Sequence, residues 1–210
     1  MSENIKNILE WIYCIAIALV LALLFRYFIG TPTIVKQRSM FPTLKEDQRL
    51  MLNRTMRITG KAPKVGDIIT FEAPNATYYE SHEADQTNPI AIYNSEPENV
   101  FSKFVYYCLE ITKRSFIKRV IAVEGDHVKI EDNKVYINGE LFEEEYLSSD
   151  VLTKSNVFND FIVPEGYIFA MGDNRTKSTD CREFGCIPLN KVEGIVVFRF
   201  WPLSSWGSIK

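Results

Sequence analysis

Phe116-Ile117-Lys118-Arg119-Val120-Ile121-Ala122-Val123 is the stretch on which the fold turns. Side chains alternate across a strand, so Lys118 shares a face with Phe116, Val120 and Ala122, while Arg119 shares the other with Ile117, Ile121 and Val123. Both faces are apolar, and two adjacent cations there need a reason. An edge strand with its ammonium in solvent is one reason; a lysine held dry is the other. The same period of two recurs at 48–53, 67–71, 127–131, 134–137, 167–171 and 194–200. Turn chemistry punctuates these runs at Gly66-Asp67, Gly125-Asp126, Asp132-Asn133, Asn138-Gly139, Pro164-Glu165-Gly166 and Gly172-Asp173-Asn174. The chain beyond residue 30 therefore reads as mainly β, with hairpins as the natural connection.

Two stretches depart from that pattern. Residues 73–98 are polar and aromatic without a period, and 99–113 carry Phe101, Phe104, Val105, Cys108, Leu109 and Ile111 at near-helical spacing. Together, approximately 73–114, they read as an insertion: a surface loop with a short packed amphipathic helix, or else a membrane or substrate contact.

Upstream, Trp11 to Ile29 is apolar except for Arg26. Nineteen helical residues cover about 28 Å, close to the ~30 Å of a hydrocarbon core. Trp11 and Tyr13 at one end, with Arg26 and Tyr27 at the other, suit the two interfaces, and Gly30-Thr31-Pro32 stops the helix. An uncleaved anchor is expected, because no Ala-x-Ala pattern follows and Glu3 and Glu10 acidify the amino-terminal flank. The division is thus 1–30 as an amino-terminal transmembrane anchor and 31–210 as a β-rich catalytic domain. Lys36, Arg38, Lys45 and Arg49 follow the anchor, so the positive-inside rule alone would place that side in the cytoplasm.

The 210 residues suit one anchor and one sizeable domain. A net charge of −3 with mixed signs excludes a basic stripe of the kind that tracks phosphates, so no nucleic-acid partner is expected. Four cysteines are too few for a disulfide scaffold; Cys181 and Cys186 bracket a short turn, and whether they bridge is open. The two histidines, His82 in a polar loop and His127 behind Gly125-Asp126, have no zinc-site spacing, and no metal is expected.

A serine hydroxyl attacks only when something takes its proton, so the search for chemistry is a search for a base. Neither histidine has a triad-like setting, although a Ser/His/Asp arrangement stays possible on sequence grounds. Lysine serves if burial drives its pKa from about 10.4 toward neutrality. Arg119 cannot lose its proton, which leaves Lys118 as the base of that pair. Ser39-Met40-Phe41-Pro42-Thr43-Leu44, taken alone, is an ordinary proline turn. A third segment, Gly172 to Arg182, is dense in short polar side chains directly after an apolar strand; it reads as a loop held by an Asp180–Arg182 pair, with Ser178 able to hydrogen-bond a neutral lysine amine.

In this order, the anchor, Ser39-Met40-Phe41-Pro42-Thr43-Leu44, Val65-Gly66-Asp67-Ile68-Ile69-Thr70-Phe71, Ile117-Lys118-Arg119-Val120-Ile121 with Gly125-Asp126, and Gly172-Asp173-Asn174-Arg175 with Ser178, Asp180 and Arg182 resemble the type I signal peptidases. These are membrane-anchored Ser/Lys endopeptidases that remove leader peptides from exported proteins. The resemblance implies an antiparallel, coiled, barrel-like β-sheet. It implies Ser39 as nucleophile and Lys118 as general base, Ser178 orienting the lysine, and Asp173, Asp180, Arg182 and Arg119 bracing the site. It implies no cofactor, signal peptides of exported preproteins as substrates, contact with membrane lipid, and a single-pass position in the cytoplasmic membrane with the catalytic domain on the extracytoplasmic side, against the charge signal above. Val35, Met40, Leu44 and Ile117 become candidates to line the pockets for small substrate side chains. Many relatives carry Gly or Ser two residues before the nucleophile; here Gln37 stands there, as a candidate oxyanion donor. A soluble Ser/Lys autoprotease of the repressor type and an inactive membrane-bound binding module are the rival readings.

Overall fold

The apolar run near the amino terminus forms one long helix, α1 (Glu3–Phe28), whose side chains pack against almost nothing. The computed structural model describes residues 3–78, 84–85, 87–95, 97–110, 113–148 and 150–209, the side chain of Cys108 excepted. With 26 residues, α1 is ~39 Å long, and it is long and apolar enough to cross a membrane. The helix ends where Gly30-Thr31-Pro32 stops it, and those same residues begin β1 (Gly30–Ile34). Pro32 is tolerated because β1 pairs only with β2 (Arg49–Asn53) and so forms a sheet edge, where a missing N–H costs no ladder bond.

Further along lie α2 (Met56–Thr59), β3 (Ile68–Glu72), α3 (Val100–Phe104), β4 (Ser115–Val123), β5 (His127–Glu131), β6 (Lys134–Ile137), β7 (Glu140–Leu141), β8 (Asp160–Ile162), β9 (Tyr167–Met171), α4 (Cys181–Phe184), β10 (Ile187–Pro188) and β11 (Val192–Trp201). One sheet of seven strands runs β1-β2-β11-β3-β4-β9-β10 and a second of four runs β7-β6-β5-β8, with antiparallel pairing throughout. The larger sheet ends at β1 and β10 and is not closed into a barrel. Asn138 and Gly139 both take positive φ (54° and 85°), the backbone a tight hairpin needs, and they connect β6 to β7.

The main core lies where the two sheets meet, with Val128, Ile130, Val135 and Phe161 of the smaller sheet in one apolar cluster with Val120, Ala122, Ile168 and Phe169 of the larger. Each such side chain contributes ~1.5–3 kcal/mol by leaving water. A second, smaller core of Val35, Met40, Leu44, Leu50, Leu52, Ile68 and Val196 sits beneath the segment carrying Ser39. Strand β4 is interior to the larger sheet, and a register shift against β9 between Val120 and Ala122 accompanies burial of both Lys118 and Arg119.

Residues 73–114 connect β3 to β4, which are themselves antiparallel neighbours, and the neck closes with the Ala73 N–H donating to the Arg114 carbonyl at 2.8 Å. Asn99 caps α3 by accepting the Ser102 N–H, and the helix continues as a π-helical turn over Val105–Leu109. The short helix expected there forms; Ile111 lies outside the described residues, as does His82. Cys181 and Cys186 are both buried and both free, so the bridge left open by their spacing is not formed.

Candidate active site

Lys118 sits in β4 opposite Ile69 of β3, 1% exposed, and its Nζ donates to Ser39 Oγ at 2.7 Å. Burial pushes this lysine down to about 8; Asp180 and Asp173 pull the other way, and Arg182 adds to the depression. Once the amine is neutral, the same short contact can reverse, with the Ser39 hydroxyl donating its proton to nitrogen. A serine hydroxyl and an amine that sheds its proton near pH 8 are therefore in direct contact, out of water.

The segment carrying Ser39 is anchored from two sides. Below it, Met40 and Leu44 are wholly buried in the smaller core. Beside it, the loop after β9 holds its backbone: the Asn174 N–H donates to the Ser39 carbonyl at 2.9 Å, and Asn174 Nδ2 donates to the Arg38 carbonyl at 3.1 Å. Gly172 makes the approach possible, since a Cβ there would lie 2.2 Å from Ser178 Oγ and 2.4 Å from the Ser39 carbonyl oxygen.

Asp173 accepts from Arg119 Nε at 3.0 Å and Nη2 at 2.8 Å, and from the Thr43 hydroxyl at 2.5 Å, so it ties β4 to the far end of the Ser39 segment. Arg119 also stacks over Tyr146, 3.9 Å from its ring centre, and donates to the Gly66 carbonyl. Asp180 accepts from Arg182 at 2.8 and 2.9 Å and from the Gly172 N–H at 3.0 Å. Burial alone would raise the Asp180 carboxyl, but the charge and hydrogen bonds of Arg182 outweigh it and hold the group below the usual range. Arg182 further donates to the carbonyls of Arg175 and Ser178, fixing the loop on which Ser178 rides, as the predicted pair required.

Ser178 is brought against Gly172 beside the dyad and is buried, yet its Oγ has no hydrogen-bond partner. The expected bond from this hydroxyl to the lysine is thus not made here; the amine is engaged by Ser39 instead.

A groove of about 360 Å³ is lined by Thr33, Ile34, Val35, Lys36 and Gln37 on one side and by Ser115, Phe116 and Ile117 on the other. Both walls have open backbone edges: β1 pairs only with β2, and β4 meets β9 only from Arg119 onward. An extended peptide can add there as a strand. Val35 and Ile117 are among the residues lining this groove. Met40 and Leu44 are not: they face the opposite way, and packing with Leu50, Leu52 and Ile68 consumes them. Gln37 is exposed on the groove wall near Ser39. A further cavity of about 820 Å³ borders Phe41, Pro42, Asn174 and Ser178.

Several supporting residues carried no assigned role in the sequence. Thr43, Gly172, Asn174 and Arg175 stood inside the motifs quoted above, whereas Glu144, which pairs with Arg175 under the loop, lies in an acidic run with no distinguishing pattern. His127 pairs with Asp160 across the β5–β8 edge at 2.7 Å, half exposed, in the smaller sheet. Among the described residues no cluster of His, Cys, Asp and Glu suits a metal ion.

Residues 8–201 match the family described as Signal peptidase, peptidase S26. A probable signal peptidase I-1 from Synechocystis sp. is 32% identical over 200 residues, 95% of this chain and 86% of that protein. The signal peptidase I of Bacillus licheniformis is 34% identical over 212 residues, 97% of this chain and 94% of that protein. A solved signal peptidase I from Enterococcus faecalis V583 is 28% identical, covering 64% of this chain and 97% of its own, with a TM-score of 0.40.

Proposed function

The chain belongs to the signal peptidase family, peptidase S26, and from that premise we propose that it cleaves signal peptides from exported preproteins with a Ser39/Lys118 dyad. The observation that carries the reading is the 2.7 Å contact between a serine hydroxyl and a lysine that burial has depressed to about 8.

The mechanism follows from that contact. Neutral Lys118 takes the Ser39 proton as Oγ attacks the scissile carbonyl carbon, giving a tetrahedral oxyanion. Collapse breaks the peptide C–N bond, and the Lys118 ammonium returns its proton to the departing amine of the mature chain. A water then gives its proton to Lys118 and attacks the Ser39 ester; the Ser39 oxygen leaves and recovers its proton. The Ser39 backbone N–H and the Gln37 amide are the candidates to bind the oxyanion, where one donor is typically worth ~10²- to 10³-fold in turnover. Ser178 steadies the amine whenever the serine has become an ester, Arg119 and Asp173 hold the nucleophile segment, and Asp180 and Arg182 hold the loop. Val35 and Ile117 contact the small substrate side chains. No step calls on a cofactor.

The same reading makes 1–30 a transmembrane anchor, with the remainder a catalytic domain on the extracytoplasmic face of the cytoplasmic membrane. The length and apolar composition of α1 support this, and lipid is then a standing partner. A labelled leader peptide added to the detergent-solubilised chain tests the chemistry. Cleavage after a small residue is expected, with Ser39→Ala and Lys118→Arg both inactive yet folded. Binding without turnover, or an active Lys118→Arg variant, would remove the dyad.

A further inference from the structure

The insertion between β3 and β4 plays no part in the chemistry above, but it is fastened to the end of α1. Arg26, in the last turn of α1, donates through Nη2 to the carbonyl of Leu109, the last residue of the π-helical turn. Glu110 follows, and Arg54 Nη2 reaches both of its carboxylate oxygens at 2.8 and 2.9 Å, with Arg57 at 3.5 Å and Arg26 at 3.7 Å. Arg54 and Arg57 in turn donate to the carbonyls of Arg26 and Tyr27. One carboxylate of the insertion and two arginines of the domain thus tie together the exit of α1 and the base of the helix at 100–109. Buried charge of this kind holds a fixed geometry, because losing one partner strands the others.

The other end of that helix carries Val100, Phe101 and Phe104, exposed to 84%, 76% and 42%. At ~100° per residue these three fall within a single ~100° arc, an apolar stripe turned away from the protein. Lys103 is exposed at its flank. Phe101 is eight residues from Leu109, hence at most ~12 Å along the helix from the level at which α1 ends. Two phenylalanines left in water that close to the exit of α1 are unfavourable.

We propose that the helix at 100–109 is an interfacial element whose Val100–Phe101–Phe104 stripe lies in the headgroup and acyl boundary of the bilayer, held there by the Arg26/Arg54/Arg57–Glu110 cluster. The occupant of the stripe is lipid, because the helix that carries it is tied at its other end to the exit of a bilayer-length apolar helix, and Lys103 can reach the headgroups. The contact, with α1, gives the catalytic domain two points of attachment and fixes its orientation over the membrane. This rests on reading α1 as a membrane-spanning anchor.

The test uses the full chain in vesicles of phosphatidylcholine and phosphatidylglycerol, with photoreactive benzoylphenylalanine placed singly at Phe101, at Leu21 in α1 and at Glu140 in the exposed β6–β7 hairpin, and adducts identified by mass. Lipid adducts at 21 and 101, several-fold above 140, are expected, and Phe104→Asp should lower the yield at 101 while sparing that at 21. An adduct at 21 with none at 101, or with protein rather than lipid captured at 101, would overturn the interfacial helix and leave the anchor standing. No lipid adduct at 21 would overturn the anchor and the inference with it, and a yield at 101 indifferent to Phe104→Asp would overturn the stripe as the contact.

Discussion

Replacing Lys118 by methionine should make the protein inert and, below pH 8, more stable. The unfolded chain keeps a lysine proton up to about pH 10.5, whereas the native site releases it near 8. That difference of roughly 2.5 pH units corresponds to ~3 kcal/mol of native-state destabilisation while the amine is charged in both states. The sign follows from proton counting. Below pH 8 native and unfolded forms both hold the proton and the penalty is complete. Between 8 and 10.5 the unfolded form binds more protons, so stability rises with pH; above 10.5 the penalty is gone.

Methionine fills much the same space with no charge, so the variant lacks this pH-dependent term. It leaves the Ser39 hydroxyl without its lysine partner, a cost of ~1–3 kcal/mol at every pH. The Lys118→Met protein should therefore exceed the wild type by up to ~2 kcal/mol at pH 7 and fall level with or below it at pH 11. Packing and hydroxyl effects do not titrate, so the ~3 kcal/mol change in the gap between pH 7 and 11 is the robust quantity. Urea unfolding of both full chains in detergent, followed by tryptophan fluorescence across that range, measures it. A gap that stays constant would show that the native site binds the lysine proton as tightly as water does, and the neutral-base argument would fail.

The rate of leader-peptide cleavage should rise with a midpoint near pH 8, set by the same amine; a midpoint near 6.5 would assign the base to a histidine instead. Gly172→Ala forces a methyl group onto Ser178 and the Ser39 carbonyl and should cut turnover by at least ~10²-fold with little change in the circular dichroism spectrum. Arg182→Gln leaves Asp180 free to favour the ammonium, so the midpoint of the pH–rate profile should move about one unit alkaline; an unmoved midpoint would contradict the electrostatics described. Glu110→Ala strands Arg54 and should cost ~3–5 kcal/mol in urea unfolding, whereas loss of an exposed pair such as Arg38–Glu46 should cost little.

Strands β4, β5, β6 and β9 carried their limits openly in the sequence as strand-length runs rich in apolar residues, although only β5 alternates in burial and β4 and β9 are buried on both faces over most of their length. Strand β1 did not, because Gly30 and Pro32 signal a break in the helix and only edge pairing with β2 makes them a strand. Strands β7, β8 and β10 are two or three residues long, too short for any period to register. The Ser39–Lys118 pairing was legible only through the family resemblance: Arg119 cannot be a base, but an edge lysine in solvent and a Ser/His/Asp arrangement both stayed open, and the Ser39 segment alone reads as an ordinary proline turn. Its supports were less so: Thr43 meets Asp173 across 130 residues and Arg175 meets Glu144 across 31, distances over which no local pattern operates. The resemblance offers Met40 and Leu44 as pocket residues, but a motif match does not say which way a side chain points, and here both are buried in the smaller core.

The lysine poses one apparent contradiction, for it lies near two carboxylates that should keep it charged. Each is already claimed. Asp173 accepts from Arg119 and the half-buried Thr43, and Asp180 from Arg182 and the Gly172 N–H, with both carboxylates and both arginines buried beside Lys118. Asp180 still pulls on Nζ more than any other charge, Arg182 offsets part of that pull, and burial outweighs the remainder. The two arginines thus do more than brace the loops. They hold acidic residues in a rigid wall around the amine, and on the proposed reading Arg182 also helps keep that amine uncharged.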